Sequence, residues 1–119
     1  MSEIRLGAVE SKFADIIWNN EPLRPVELEK LAEAELNWKR TTTLTILKRL
    51  RERGIFQNKD RIITSLISRE EFYALQSEKF VNDTFEGSLP AFLTAFGSRK
   101  KLSDKEVEEL KKVIDSMRR

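Results

Sequence analysis

The sequence predicts a mainly α-helical chain with one small β-hairpin: three short helices, the hairpin, then a helical C-terminal region. Three observations lead there. Apolar residues recur at helical spacing along most of the chain. Only two neighbouring segments, 55–57 and 62–67, are dense in β-branched and aromatic residues. Breaks rich in Asn, Pro and Gly fall between these stretches. With 39% apolar and 35% charged residues over 119 positions, the chain can bury a core, and its length suits one core with a helical extension.

Leu6, Val9, Phe13, Ile16 and Ile17 share a face of a first helix over residues 7–19, with Trp18 beside them. Asn19-Asn20-Glu21-Pro22 breaks it. Pro25 suits the first turn of a second helix, where its missing N–H is not needed. Leu28, Leu31 and Leu36 give that helix a buried stripe, and Glu27, Glu29, Glu33 and Glu35 make its other face acidic. Asn37 and Trp38 connect it to a third helix over residues 40–53. There Thr43, Leu47 and Leu50 face inward with Ile46 next to them, while Thr41, Thr45, Lys48 and Glu52 line another face. Gly54 is placed to cap the third helix.

The segments 55–57 and 62–67 read as two strands joined by a turn at 58–61. Ser68 and Glu71 then have capping-box spacing. The helix that follows carries Phe72, Leu75, Lys79 and Phe80 towards Phe85. Gly87-Ser88 interrupts it, and Leu89, Phe92, Leu93 and Phe96 form a short apolar helix. Beyond a polar link at 97–101, Ser103 with Glu106 opens a last helix carrying Val107, Leu110, Ile114 and Met117. The natural division is residues 1–67 and residues 68–119.

The overall charge of +2 hides an asymmetry. Residues 1–38 carry four basic and eight acidic groups. Residues 39–61 carry Lys39, Arg40, Lys48, Arg49, Arg51, Arg53, Lys59 and Arg61 against only Glu52 and Asp60, a net of +6. Residues 62–119 balance. The excess positive charge thus falls on the third helix and the hairpin tip, and duplex DNA, with a phosphate charge every ~1.7 Å of axis, is the natural counterpart. A basic helix that is merely solvated is the alternative. The chain has no Cys and no His, which removes disulfides, thiolate or imidazole metal sites and imidazole-based catalysis. Without a Gly-rich phosphate loop either, no enzyme and no cofactor are expected. No apolar run approaches the ~18 residues of a spanning helix, and the start MSEIRLG lacks an apolar signal core, so a cytoplasmic protein without membrane insertion is expected.

Three helices and a hairpin in this order form a winged helix-turn-helix, in which the second helix braces the third and the third enters the major groove. Thr41, Thr42 and Thr45, near the start of the third helix, suit phosphate or thymine-methyl contacts. Thr41 has helix capping as an alternative role, and Thr43 belongs to the core. Lys39 and Arg40 reach towards backbone or base edges, and Lys48 lies further along. Arg49 is either a DNA contact or the ion-pair partner of a carboxylate on the second helix. Lys59 and Arg61 at the hairpin tip are phosphate candidates or a solvated turn. Five of the seven Phe residues fall between 72 and 96, beyond a domain already complete near Ile67. Phe72, Leu75, Phe80, Phe92 and Phe96 are therefore expected to pack against a second copy of the chain, folding back on their own subunit being the alternative.

Four stretches resemble a known family. They are Trp18; the run Thr41-Thr42-Thr43-Leu44-Thr45-Ile46-Leu47-Lys48-Arg49-Leu50 closed by Gly54; Ile67-Ser68-Arg69-Glu70-Glu71-Phe72; and the tail from Glu86-Gly87-Ser88-Leu89 through Leu102-Ser103 to Glu108-Glu109-Leu110. In order and spacing the chain resembles the penicillinase and methicillin-resistance repressors, winged-helix regulators that also include copper-responsive relatives. The resemblance implies a homodimeric repressor of transcription on a palindromic operator. For antibiotic-responsive members it implies a membrane sensor with a metalloprotease domain that triggers cleavage. Three departures stand out. The copper-responsive Cys motif is missing. The second strand has Ile63, Thr64 and Ser65 in place of tyrosines. The Asn-Phe bond cut in the cleaved members corresponds to Ala95-Phe96. A winged-helix module that binds protein instead of DNA is the rival, and the basic third helix argues against it.

Overall fold

A computed structural model describes residues 6–118. Residues 1–5 and 119, including most of the stretch read above for a leader, lie outside the described residues. The elements are α1 (Ala8–Asn20), α2 (Pro25–Leu36), α3 (Arg40–Glu52), β1 (Phe56–Lys59), β2 (Ile62–Ser65), α4 (Arg69–Phe85), α5 (Leu89–Gly97) and α6 (Asp104–Ser116). They form two compact units, one ending at Ser77 and one starting at Glu78.

The first unit holds the core. Phe13, Ile16 and Ile17 of α1, Leu28 and Ala32 of α2, and Leu47 and Leu50 of α3 enclose one another with Phe56 and Ile63 of the hairpin. The sequence makes these helices because their apolar residues recur every three or four positions. Pro25 opens α2, and Glu27 reaches back to the Arg24 N–H (2.8 Å). Asn37 ends α2 in the left-handed region (φ 58°), which Asn tolerates, and so turns the chain into α3. Gly54 (φ 80°) ends α3. The Gly54 N–H donates to the Arg51 carbonyl and the Ile55 N–H to the Leu50 carbonyl, while Ile55 and Leu50 are both buried. That pair of bonds with its apolar contact is a Schellman ending, and it aims the chain into β1.

The hairpin differs from the expected one. β1 runs through Lys59, and the turn is only Asp60-Arg61, both with positive φ (55° and 62°). Two residues in that conformation match the right-handed strand twist, so the tighter turn is the one the strands accept. A further pairing was not legible in the sequence: Leu23 exchanges both backbone bonds with Ile63 (3.2 and 2.8 Å), laying the α1–α2 connection along β2. Beside it, the Glu21 carboxylate accepts the Ser65 N–H (2.7 Å) and hydroxyl (2.8 Å), which fastens the base of the hairpin.

Trp18 joins α1 to β1 and to the start of α4. Its indole N–H donates to the Ile67 carbonyl (3.0 Å), and its ring meets Phe56, Phe72 and Tyr73 at centroid distances of 5.2, 5.7 and 6.0 Å. Ser68 caps α4 through the Glu71 N–H (3.1 Å). Arg69 bonds Asp15 of α1 (2.8 Å) and lies over the Tyr73 ring; the Asp15 hydrogen bond raises the guanidinium further above its usual range. The expectation that Phe72 packs against a second copy is corrected here. The ring is 1% exposed inside the first unit, because α4 starts by closing that core.

The second unit has a different character. Phe80, Phe85, Phe92 and Phe96 contact in series at 5.7–6.2 Å, yet α5 and α6 contain no buried residue among those described. Ser103 with Glu106 makes the capping box of α6, as the sequence predicted, and Ser88, read there only as part of a break, caps α5. An apolar groove of about 480 Å³ runs between the two helices, lined by Phe92, Leu93, Phe96, Leu102, Leu110 and Val113.

Phe72→Ala should cost about 3–5 kcal/mol in urea unfolding, the range for deleting an enclosed ring. A variant of normal stability with an altered oligomeric state would return Phe72 to an interface role.

Candidate nucleic-acid interface

The third helix turns one side into the core and the other to solvent. Thr43, Leu47 and Leu50 are buried, and Thr41, Thr42, Leu44, Thr45, Lys48 and Arg49 are exposed. Thr43 is a core residue, as its spacing indicates; its hydroxyl donates to the Lys39 carbonyl (3.3 Å), which satisfies it without water. Thr45 donates to the Thr41 carbonyl (2.8 Å) and keeps its lone pairs outward. Thr41 does not cap. The N-cap residue is Lys39, extended at φ −76° and ψ 158°, and its side chain makes no cap hydrogen bond. An uncapped helix start carries partial positive charge that adds to Lys39 and Arg40.

Arg40 and Arg49 are held differently from the sequence expectation. Arg40 pairs with Glu29 of α2 (3.1 Å). Arg49 pairs with Glu10 of α1 (3.4 Å), not with a carboxylate of α2, and Arg53 approaches the same Glu10 oxygen at 4.0 Å. Glu10 belongs to the first turn of α1, which packs near the end of α3, whereas α2 offers its carboxylates to the start of α3. Both exposed arginines keep open faces: the Arg40 and Arg49 side chains are 75% and 51% accessible.

Lys59 ends β1 and Arg61 sits in the turn, both exposed. Lys48, Arg51 and Glu52 of α3 line a shallow hollow with Gln57 and Asn58 of β1, so the far end of α3 and the hairpin share a basic edge. Sequence reasoning missed three residues on this side of the unit. Leu44 is 37% exposed between the threonines, an apolar contact on a polar face. Arg51 was visible only as part of the basic run. Arg24, the residue before α2, lies in an acidic segment, and no sequence signal marks it.

Ala95 and Phe96 lie in the last turn of α5, both exposed. The Ala95 carbonyl accepts the Ser98 hydroxyl (2.7 Å), and the Phe96 carbonyl accepts the Lys100 N–H (3.2 Å). The bond between them is therefore accessible but helical.

Comparison with known proteins adds a second line. A family model described as penicillinase repressor matches residues 6–116. The methicillin resistance regulatory protein MecI of Staphylococcus aureus strain Mu50 is 25% identical over 114 residues, covering 92% of this chain and 93% of that protein. The protein of the same name from Mammaliicoccus sciuri is 24% identical over the same coverage. The penicillinase repressor of Bacillus licheniformis is 22% identical over 115 residues, or 93% of this chain and 90% of its own.

A double-mutant cycle on Glu10→Gln and Arg49→Gln should give a coupling below about 1 kcal/mol, as for solvated ion pairs. A coupling of several kcal/mol would mean that Arg49 is locked to α1 and closed to other partners.

Proposed function

The chain belongs to the penicillinase repressor family, and we propose that it acts as a homodimeric DNA-binding repressor of transcription in the cytoplasm. In this reading α3 enters the major groove of each half of a palindromic operator. The observation that carries the DNA contact is the concentration of charge: residues 39–61 hold a net +6, and Lys39, Arg40, Lys48, Arg49, Lys59 and Arg61 are all exposed on α3 and the hairpin. Their role is to neutralise phosphates, which sets affinity and position. Thr41, Thr42 and Thr45 supply short hydroxyl and methyl groups for base edges. A protein-binding winged helix has no need of such a charge, which is why the DNA reading is preferred.

The dimer reading rests on the second unit. Phe96, Val113, Ile114 and Met117 are 45%, 53%, 46% and 63% exposed, and the α5–α6 groove is apolar. Monomers rarely leave such surfaces uncovered. A second copy of the chain covers them, with Phe80, Phe92 and Phe96 of this unit and Leu75 near the end of the first unit as contacts, and a two-fold pair presents two α3 helices to two half-sites. Phe72 drops out of this set. Relief of repression by a sensor-protease system that cuts at Ala95-Phe96 rests on the family resemblance alone. Any such protease must unwind the last turn of α5 before the bond fits an active site.

Lys39→Gln with Arg40→Gln should weaken binding to all duplexes and flatten the dependence of log K on log salt by up to about 2 units; an unchanged slope would put the anionic partner elsewhere. Each Phe buried at the pairing surface contributes roughly 1.5–3 kcal/mol, so Phe92→Ala with Phe96→Ala should shift dimer to monomer in sedimentation equilibrium. A wild type that sediments as a monomer at micromolar concentration would remove the dimer.

A further inference from the structure

A hollow of about 620 Å³ opens in the first unit between the start of α2, the start of α3 and the tip of the hairpin. Each element contributes one arginine to it: Arg24, Arg40 and Arg61. Between them stand the aliphatic Val26 (53% exposed) and Ile62 (37% exposed), and the carboxylates of Glu29 and Asp60 also line it, so three guanidiniums face two carboxylates. Guanidiniums around an aliphatic wall match the chemistry of a sugar–phosphate strand: oxyanions for the first, deoxyribose for the second. The position fits as well. With α3 in the major groove and the hairpin tip towards the flanking minor groove, the strand that separates the two grooves runs between α3 and the tip, and those are two walls of this hollow.

Two details single the site out. Arg61 occupies a left-handed position (φ 62°) in a two-residue hairpin turn, where glycine after Asp60 would close the same turn without a Cβ in that region. Side chains kept against local backbone preference concentrate where they are used. Second, Arg24 and Arg61 have no ion-pair partner among the described residues, whereas Arg40 is held by Glu29 at 3.1 Å with its guanidinium still largely exposed.

We infer that this hollow seats one phosphodiester strand of the duplex, that Arg24 and Arg61 bind its phosphate oxygens, and that Glu29 holds Arg40 as a stand-in for phosphate until DNA arrives. The inference rests on the duplex-binding reading. It adds a contact from outside α3 and the hairpin, and an internal competitor for one of the cations. Freed Glu29 takes up a solvent cation as Arg40 moves to phosphate, which offsets one released counterion.

The test uses the full chain, a labelled random-sequence duplex read by fluorescence anisotropy across a KCl series, and thermal melts. The double variant R24Q/R61G should lose about 1.8 units of salt slope, and E29Q should gain about 0.9 and bind more tightly. R61G alone should bind more weakly yet melt a few degrees higher than wild type, since the turn gains its preferred residue. Wild type that binds no duplex overturns the DNA reading and this inference together. Wild type that binds, with an unchanged slope in R24Q/R61G, overturns the hollow alone. An R61G that melts lower than wild type shows that Arg61 serves the fold, and an E29Q with an unchanged slope removes the stand-in; either result overturns that part.

Discussion

The indole of Trp18 is the contact on which the first unit depends. One N–H bond fixes the backbone at Ile67, and three aromatic neighbours from β1 and α4 close around the ring. The indole reinforces the Asp15–Arg69 link between α1 and α4 and adds an aromatic wall to a hairpin already fastened by Leu23 and Glu21. The basic face is built on the same core, through Phe56 of β1 and the inner side of α3. The inner side of α3 is seated against the helices that Trp18 helps to assemble, and its ending at Gly54 then directs β1.

The basic face is also organised from behind by acid. Glu10 holds Arg49 of α3 and Arg53 just beyond it, Glu29 holds Arg40, and Asp15 holds Arg69. The charge imbalance between residues 1–38 and 39–61 is therefore not two separate facts about the sequence. Two carboxylates of the early helices, Glu10 and Glu29, are internal partners of Arg40, Arg49 and Arg53. These pairs are solvent-facing and each contributes little to stability; they restrain long side chains at modest entropic cost.

The helices were legible because their periodicity, caps and breakers agree. Pro25, Gly54 and Ser103 each act where their chemistry says. The burial of Thr43 could be read from its register with Leu47 and Leu50. What escaped were features made by residues distant in sequence. The bridge from Leu23 to Ile63 spans forty positions and involves only backbone atoms, so side-chain patterns are silent on it. An ion pair for Arg49 is one of the two roles its position suggests, but the partner is Glu10 of α1 and not a carboxylate of α2, because sequence alone does not tell which acidic helix lies nearer. Phe72 was grouped with later rings by spacing on one helix, although α4 begins in one unit and ends in the other. The basic run marked most of the candidate interface, but Arg24 joins it only through folding.

The helices α5 and α6 have well-formed caps and no enclosed side chain among those described. Local chemistry thus shapes them without supplying a reason to stay folded. If a twin chain provides that reason, mass action governs their integrity, and dilution loosens them before it touches the first unit. A cell holding few molecules would then hold disproportionately few competent ones, so response to abundance becomes steeper than linear, a threshold written into the absence of a core.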